Sequence, residues 1–354
     1  MLLETMEAER SVREIVANLT VIVPAFNEAE SLRETVASVL NQTVAPGRVL
    51  VVDDCSTDGT GEIAVGLGVE VLRPPGNTGS KAGAQTFALN EVRTRYTMAI
   101  DADTVLAPDA IELLASVFVD EDVAAASGFV LPRYVRTVWE RGRYIEYLYS
   151  FTFHKQVQDY YGRPLISSGC FSMYRTEVLC SIGGWSGRTM AEDMDLTWSL
   201  YERGWAVRFV PEATSYPIEP ANWHFLGKQL RRWSHGFVQN VRLHWRGLLA
   251  QRYLRSVVAI AFFDAIVAPV VTLLAFPLLA VFVTPWFLLG YVIDLPVVAI
   301  PVMTGARRRR ESRRALASLP AYFALRLANC WFMLRAVVAE LVVGRRLKVY
   351  EKGH

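Results

Sequence analysis

Leu19-Thr20-Val21-Ile22-Val23 is a short, β-rich apolar run ended by Pro24, and Val49-Leu50-Val51-Val52 is a second, ended by Asp53-Asp54. Runs this short and apolar at every position suit strands covered on both faces, as in parallel sheets. Between them, residues 30–40 have helical spacing, with Leu32, Val36, Val39 and Leu40 on one face, so the segment predicts a β-α-β unit with polar residues where each strand stops. Working outward, Val69-Glu70-Val71-Leu72 predicts a third strand, 82–92 a helix, and Tyr96–Ile100 a strand that runs into Asp101-Ala102-Asp103. The pattern is that of an open α/β sheet with its chemistry at the carboxyl ends of the strands.

The remainder of the chain has a different character. Its 354 residues suffice for a catalytic core plus an appendage, and 52% hydrophobic against 20% charged residues exclude a disordered or low-complexity chain. The apolar excess is concentrated: 256–304 contains two charged residues, Asp264 and Asp294. About 20 apolar residues span a hydrocarbon core. On that measure 257–282 and 285–304 each predict one span, and a third apolar stretch at 319–343 holds Arg326, Arg335 and Glu340, which leaves a crossing, a protein-facing helix or an interfacial one open. The basic run at 307–314 predicts a cytoplasmic flank. Residues 137–161 read as a long helical stretch, 192–204 as a helix stopped by Gly204, and 225–249 as a basic, aromatic helix suited to a membrane surface. The expected organisation is an N-terminal segment 1–18, an α/β domain 19–250 with interfacial helices, and an α-helical membrane region 251–354.

The 37 basic and 35 acidic residues nearly cancel, so no global field argues for nucleic acid. Cys55, Cys170, Cys180 and Cys330 have no metal-finger or CxxC spacing and suit a reducing cytosol. The first 17 residues carry several Glu and Arg and no apolar signal-peptide core, so the expected catalytic domain is cytoplasmic.

Several motifs carry chemistry. Asp101-Ala102-Asp103 projects two carboxylates from one strand end, and paired hard oxygens suit Mg2+ or Mn2+ bridging to a diphosphate; a solvated turn serves the same spacing. Asp53-Asp54-Cys55-Ser56-Thr57-Asp58-Gly59 is a second acidic strand end, equally suited to an Asx-type turn and helix cap. Pro75-Gly76-Asn77-Thr78-Gly79-Ser80-Lys81 lacks phosphate-loop spacing, and no G-x-G-x-x-G follows the first strand, so P-loop NTPases and dinucleotide dehydrogenases fit poorly. Glu192-Asp193-Met194-Asp195 precedes a helix, where an acidic first turn also suits the helix dipole. Gln229, Arg232 and Trp233 fall at i, i+3 and i+4 on one helical face, where Arg can clamp a diphosphate and Trp can offer its ring to a sugar. A basic interfacial helix anchored by Trp is the plainer alternative.

In order, Val23-Pro24-Ala25-Phe26-Asn27-Glu28, Asp53-Asp54, Lys81, Asp101-Ala102-Asp103, Glu192-Asp193 and Gln229-x-x-Arg232-Trp233 resemble the family 2 glycosyltransferases, specifically the processive membrane synthases of cellulose, chitin, hyaluronan and poly-N-acetylglucosamine. The resemblance runs from about Leu19 through Trp245 and into the membrane helices. It implies a GT-A, Rossmann-like fold with the donor sugar nucleotide at the switch point. Carried over by position, Asn27 and Glu28 would line the nucleoside end beside the Phe26 and Ala25 backbone. Asp53 would hold uracil or ribose, Lys81 would sit near the nucleotide, and Asp101 and Asp103 would serve the uridine diphosphate and its divalent metal. Asp193 matches the catalytic base with Glu192 its neighbour, and Gln229, Arg232 and Trp233 match the diphosphate and acceptor-sugar group. The implied reaction is inverting transfer from a UDP-sugar, with UDP-N-acetylglucosamine favoured, to a growing β-linked polysaccharide by single displacement.

The larger synthases have membrane helices ahead of the catalytic domain and a longer membrane portion after it. The short portion here implies that a partner subunit or a second protomer completes a polymer channel, or that the product is short. Transfer of one sugar to a polyprenyl or other lipid carrier is the nearest alternative, and a membrane scaffold with a degenerate transferase domain is the alternative of another class. The expected location is the cell membrane, multi-pass among membrane lipids, with the catalytic domain cytoplasmic.

Overall fold

The computed structural model describes residues 2–250 and 252–348. An eight-stranded mixed sheet is built from β1 (Leu19–Ala25), β2 (Arg48–Asp53), β3 (Glu70–Leu72), β4 (Tyr96–Ile100), β5 (Thr104–Leu106), β6 (Val123–Val130), β7 (Phe171–Arg175) and β8 (Ala206–Pro217). Their spatial order is β3-β2-β1-β4-β7-β6-β8-β5. β1 pairs in parallel with β2 (Val21↔Val49) and with β4 (Val21↔Met98), and β2 in parallel with β3. This is the half anticipated from the apolar runs.

At the next border the sheet reverses: β7 lies antiparallel to β4, with Phe171 opposite Ile100. The end at which the chain enters β7 therefore adjoins the end at which it leaves β4. Topology alone brings residues 168–170 beside Asp101. β6 then pairs antiparallel with β7 and parallel with β8, and β8 antiparallel with β5.

The helices differ modestly from the spacing read in the sequence. The one expected over 30–40 is Leu32–Leu40, because residues 28–31 form a turn in which the Ser31 and Leu32 amides both donate to the Glu28 carbonyl. That expected over 82–92 is Lys81–Leu89, started by Ser80, whose hydroxyl accepts from the Gly83 amide at 3.1 Å. Leu2–Ala17 is a helix that the sequence reading did not include. Val12, Ile15 and Val16 give it a short apolar face that joins the sheet's core, with Leu32, Val36, Met98, Ile111 and Leu114.

By compactness the chain divides into two units. One comprises Met1–Arg133, Gln158–Arg188 and Glu192–Ile218 and holds the sheet; the other comprises Tyr134–Val157, Thr189–Ala191 and Glu219–His354. The boundary expected near 250 falls inside the second unit, because helix Trp223–Ala250 and helix Val138–Tyr149 both pack on helix Ser312–Val337.

In the second unit, Leu226 and Leu230 are buried with Leu325 and Ala328, and Trp139 and Phe332 pack against them. That stripe of the helix expected to lie on a membrane faces protein instead. Two charged residues of the third apolar stretch are likewise paired: Arg326 with Asp294 at 2.6 Å, and Glu340 with His235 at 2.7 Å and Gln239 at 2.7 Å. Residues 137–161 are not one uniform helix, since a π turn at Ser150–His154 follows Val138–Tyr149. Val258–Phe282 and Pro285–Arg308 are long and apolar enough to cross a membrane.

Candidate active site

The site in the first unit grows from the carboxyl ends of β1, β2 and β4. Asn27, just past β1, sits in the left-handed region at φ 55°, which Asn tolerates better than most residues. In that conformation its backbone N–H donates to Ser56 Oγ at 3.0 Å and its Oδ1 accepts from the Thr57 amide at 2.9 Å. The Glu28 amide donates to Thr60 Oγ1 at 2.8 Å, and a Glu28 carboxylate oxygen accepts from Ser31 Oγ at 2.9 Å. The loops after β1 and β2 are thereby tied together, and Ala25 contributes its carbonyl, which accepts from the Asp54 amide at 2.9 Å.

Asp53 and Asp54, adjacent in sequence, do different work. Buried Asp53 accepts from the Ser56 amide at 2.9 Å and pairs with Arg73 at 3.1 Å. Gly61 closes over it: a Cβ there would stand 2.5 Å from Asp53 Oδ2. Asp54 accepts from the Thr78 amide and hydroxyl at 2.8 and 2.9 Å, while its carbonyl takes the Asn77 side chain, so it fastens the loop that leads into Lys81.

Lys81 is the centre of the charged cluster. Its ammonium group is ion-paired with Asp101, donates to the Gly169 carbonyl at 2.8 Å and stands 4.0 Å from Glu192. The Gly169 amide in turn donates to Asp193 Oδ2 at 2.9 Å, and the Asp101 amide donates to the Cys170 carbonyl at 3.3 Å. A Cβ at position 169 would lie 2.9 Å from that same Asp193 oxygen, so only glycine lets this strand-entry turn approach so closely. Asp193 is half-buried in the first turn of helix Glu192–Glu202, and its other oxygen accepts from the Met194 amide at 2.9 Å. Of the residues anticipated from sequence, Lys81, Asp101, Glu192 and Asp193 thus come together directly. Gly169 was missed; its only signal would have been a glycine next to a strand that antiparallel pairing alone brings here.

Asp103 is buried one turn beyond β4, with Thr104 Oγ1 at 3.2 Å from its Oδ1. Among the described residues no group of three or more His, Cys, Asp or Glu could hold a metal by itself. Two carboxylates at one strand end fit the way Mg2+ or Mn2+ is held by one or two protein carboxylates together with a ligand's phosphate oxygens.

In the second unit, Gln229 and Trp233 of helix Trp223–Ala250 are organised by a residue that the sequence reading also missed. Arg143, only 1% exposed on its side chain, donates to Gln229 Oε1 at 2.6 Å, is ion-paired with Glu146, and has its Nε 3.4 Å from Glu219. Its guanidinium carbon lies 4.4 Å from the Trp233 ring centroid. Gln229 Nε2 donates to Glu219 at 3.3 Å, so both ends of that amide are engaged. Burial opposes the Arg143 charge, yet Glu146, Tyr147 and Glu219 together hold its pKa above the ordinary value. Burial pushes the Glu219 carboxyl up against the pull of Arg143. Arg232 is half-buried and Trp233 is 37% exposed. Further along the helix, Gln239 accepts from the Met190 amide at 3.0 Å and Asn240 donates to the Ala191 carbonyl at 3.0 Å, fixing the residues that immediately precede Glu192 in the chain.

Residues 20–183 match the family model described as glycosyl transferase family 2. The chain is similar to the poly-beta-1,6-N-acetyl-D-glucosamine synthase of Staphylococcus aureus strain COL, at 24% identity over 222 residues, covering 62% of this chain and 54% of that protein. It is similar to the synthase of the same name from Staphylococcus epidermidis, at 25% identity over 237 residues, covering 64% and 56%. The chain thus spans about half the length of the curated relatives it matches. Among solved structures, a mannosyltransferase from Pyrobaculum calidifontis in complex with GDP-Man and Mn2+ shares the fold, with a TM-score of 0.62 at 18% identity over 97% of this chain and 94% of that one. The sheet domain is accordingly a Rossmann-like α/β domain of the GT-A type.

Proposed function

We propose, on the premise that residues 20–183 match the glycosyl transferase family 2 model, that this chain transfers a sugar from a UDP-sugar, UDP-N-acetylglucosamine in the favoured case, to a growing β-linked polysaccharide with inversion. One observation carries the reading: Gly169 joins Lys81 to Asp193 while Lys81 pairs with Asp101, so a donor-side charge cluster and a base share one hydrogen-bonded turn. The relatives named as poly-beta-1,6-N-acetyl-D-glucosamine synthases favour the sugar and the polymer.

Asp193 takes the proton from the acceptor hydroxyl as that oxygen attacks the anomeric carbon, with Glu192 beside it. A single displacement of this kind needs no covalent enzyme intermediate. Asp53 binds uracil or ribose, and Ala25, Asn27 and Glu28 line the nucleoside end. Lys81 gives a cation to the nucleotide side. Asp101 and Asp103 would hold Mg2+ or Mn2+, which when bound neutralises the diphosphate as a leaving group. Gln229, Arg232 and Trp233 serve the diphosphate and acceptor sugar, with the indole stacking on the terminal residue of the polymer.

In the same reading, Val258–Phe282 and Pro285–Arg308 cross the cell membrane among its lipids, with the basic run at 307–314 and the catalytic domain on the cytoplasmic side. A polymer passage is completed by a second subunit or protomer.

The test incubates membranes holding the protein with a panel of radiolabelled UDP-sugars and Mg2+ or Mn2+, and sizes the labelled product. A ladder of many sugars is expected. A single labelled lipid-linked sugar, with nothing longer at any donor concentration, replaces the polymer reading by transfer to a lipid carrier. Trp233→Ala is expected to shorten or abolish polymer while UDP binding survives, and calorimetry with UDP beside the sizing gel separates the two effects. Gly61→Ala is expected to displace Asp53, where the added Cβ collides, and to weaken UDP binding roughly tenfold, the worth of one charge-assisted hydrogen bond. Unchanged UDP affinity in that variant would remove Asp53 from the nucleoside site.

A further inference from the structure

The buried arginine of the second unit explains how an exposed indole can act as a sugar platform, an argument that rests on the acceptor role proposed for Trp233. A freely rotating tryptophan offers two faces and many orientations, and ordering it costs entropy each time a sugar binds. Here one face is already occupied. The Arg143 guanidinium lies over the ring at 4.4 Å, and its remaining contacts leave it little freedom: Glu146, Glu219 and Gln229 surround it. Those partners are themselves held. Asn329 Nδ2 donates to the second Glu146 oxygen at 2.6 Å, and the Tyr147 hydroxyl donates to Glu219 Oε1 at 2.6 Å. A fully buried cation with two carboxylate neighbours is a costly device for simple packing, since apolar residues of similar volume often serve as well or better. Its geometry suits orientation instead: one planar guanidinium both meets the indole ring and hydrogen-bonds the Gln229 amide.

We propose that Arg143 is a positioning residue that makes Trp233 a one-faced platform, holding the ring from behind so that a pyranose stacks through its C–H-rich face on the opposite side, with Gln229 fixed by the same guanidinium. The ligand class is a pyranose whose hydroxyls are equatorial on the stacked face, as in β-linked glucosamine-type chains. An axial hydroxyl there would hold the ring away from the indole.

The test uses the full chain in lipid nanodiscs, with a β-linked N-acetylglucosamine oligosaccharide as acceptor and UDP-N-acetylglucosamine as donor. Arg143→Lys keeps a cation between Glu146 and Glu219 but loses the planar fork; Arg143→Met loses both. Each is expected to raise the acceptor KM about tenfold, within the range of a desolvated cation–π contact, while the Kd for UDP changes less than about twofold. The decisive comparison is the double-mutant cycle. In a Trp233→Ala background the same Arg143 substitutions are expected to add less than about twofold, because the ring they orient is gone. Arg143 effects that multiply undiminished with Trp233→Ala overturn the positioning role. If Trp233→Ala alone leaves the acceptor KM unchanged, the acceptor reading fails and the platform fails with it. Should Arg143→Met not fold, the lysine variant decides the matter alone.

Discussion

Asp193→Asn is expected to leave UDP binding near its wild-type strength while turnover falls by about two to four orders of magnitude, the usual span for losing a positioned acid or base. Asparagine is nearly the same shape, and its carbonyl oxygen can still accept the Gly169 amide that meets Asp193 Oδ2 at 2.9 Å. The turn therefore keeps its place, as does the Lys81 contact on the same glycine. What is lost is the capacity to receive a proton from the acceptor hydroxyl. Single-turnover rates with saturating donor, set beside calorimetric UDP affinity, distinguish this from a binding defect. A variant that keeps a tenth or more of wild-type turnover would show that another group is the base.

Asp103→Asn is expected to abolish transfer and to weaken UDP binding when Mn2+ is present, yet to match the wild type when the metal is chelated. The reasoning is one of charge. Lys81 already offsets the Asp101 charge, so Asp103 would supply the second carboxylate that a divalent cation takes at this strand end. The substitution retains an oxygen for Thr104, whose hydroxyl lies 3.2 Å from Asp103 Oδ1, and so spares the local fold. Metal-dependent UDP affinity that is the same in the folded variant and the wild type would remove the metal role from this residue.

The parts legible in the sequence are those whose signal is local. The strands at Arg48–Asp53 and Tyr96–Ile100 announce themselves by apolar runs cut off by polar residues, and the acidic pairs at their ends follow from that reading. Lys81, Asp101, Glu192 and Asp193 could be named in advance because each has a motif, though their convergence could not. β6 had no such signal: Val-Ala-Ala-Ala-Ser-Gly-Phe-Val is buried at every position and small at most of them, so neither alternation nor bulk marks it. β7 owes its place to antiparallel pairing with β4, a contact between residues far apart in the chain. Arg143 was hidden for a related reason. An arginine within an aromatic helix reads as a solvent-facing charge until its distant partners, the Glu219 carboxylate and the Gln229 amide oxygen, are brought to it by folding. The same holds for the charges at Arg326 and Glu340, which look awkward in an apolar stretch and are paired inside the protein.

The reversal of strand direction at β4 also bears on how the chain is made. Ribosomes deliver β1 to β4 first, and these can pair as soon as they emerge, since the parallel pairings among these four strands lie within the first 100 residues. The outer edge of β4 has no such early companion. Its partner, Phe171–Arg175, is translated much later, and until then Tyr-Thr-Met-Ala-Ile, destined to be buried at every position, presents an open row of amides and carbonyls. A nascent or truncated chain ending between residues 100 and 171 therefore carries a sticky edge, one that a chaperone must cover or a neighbouring chain will pair with.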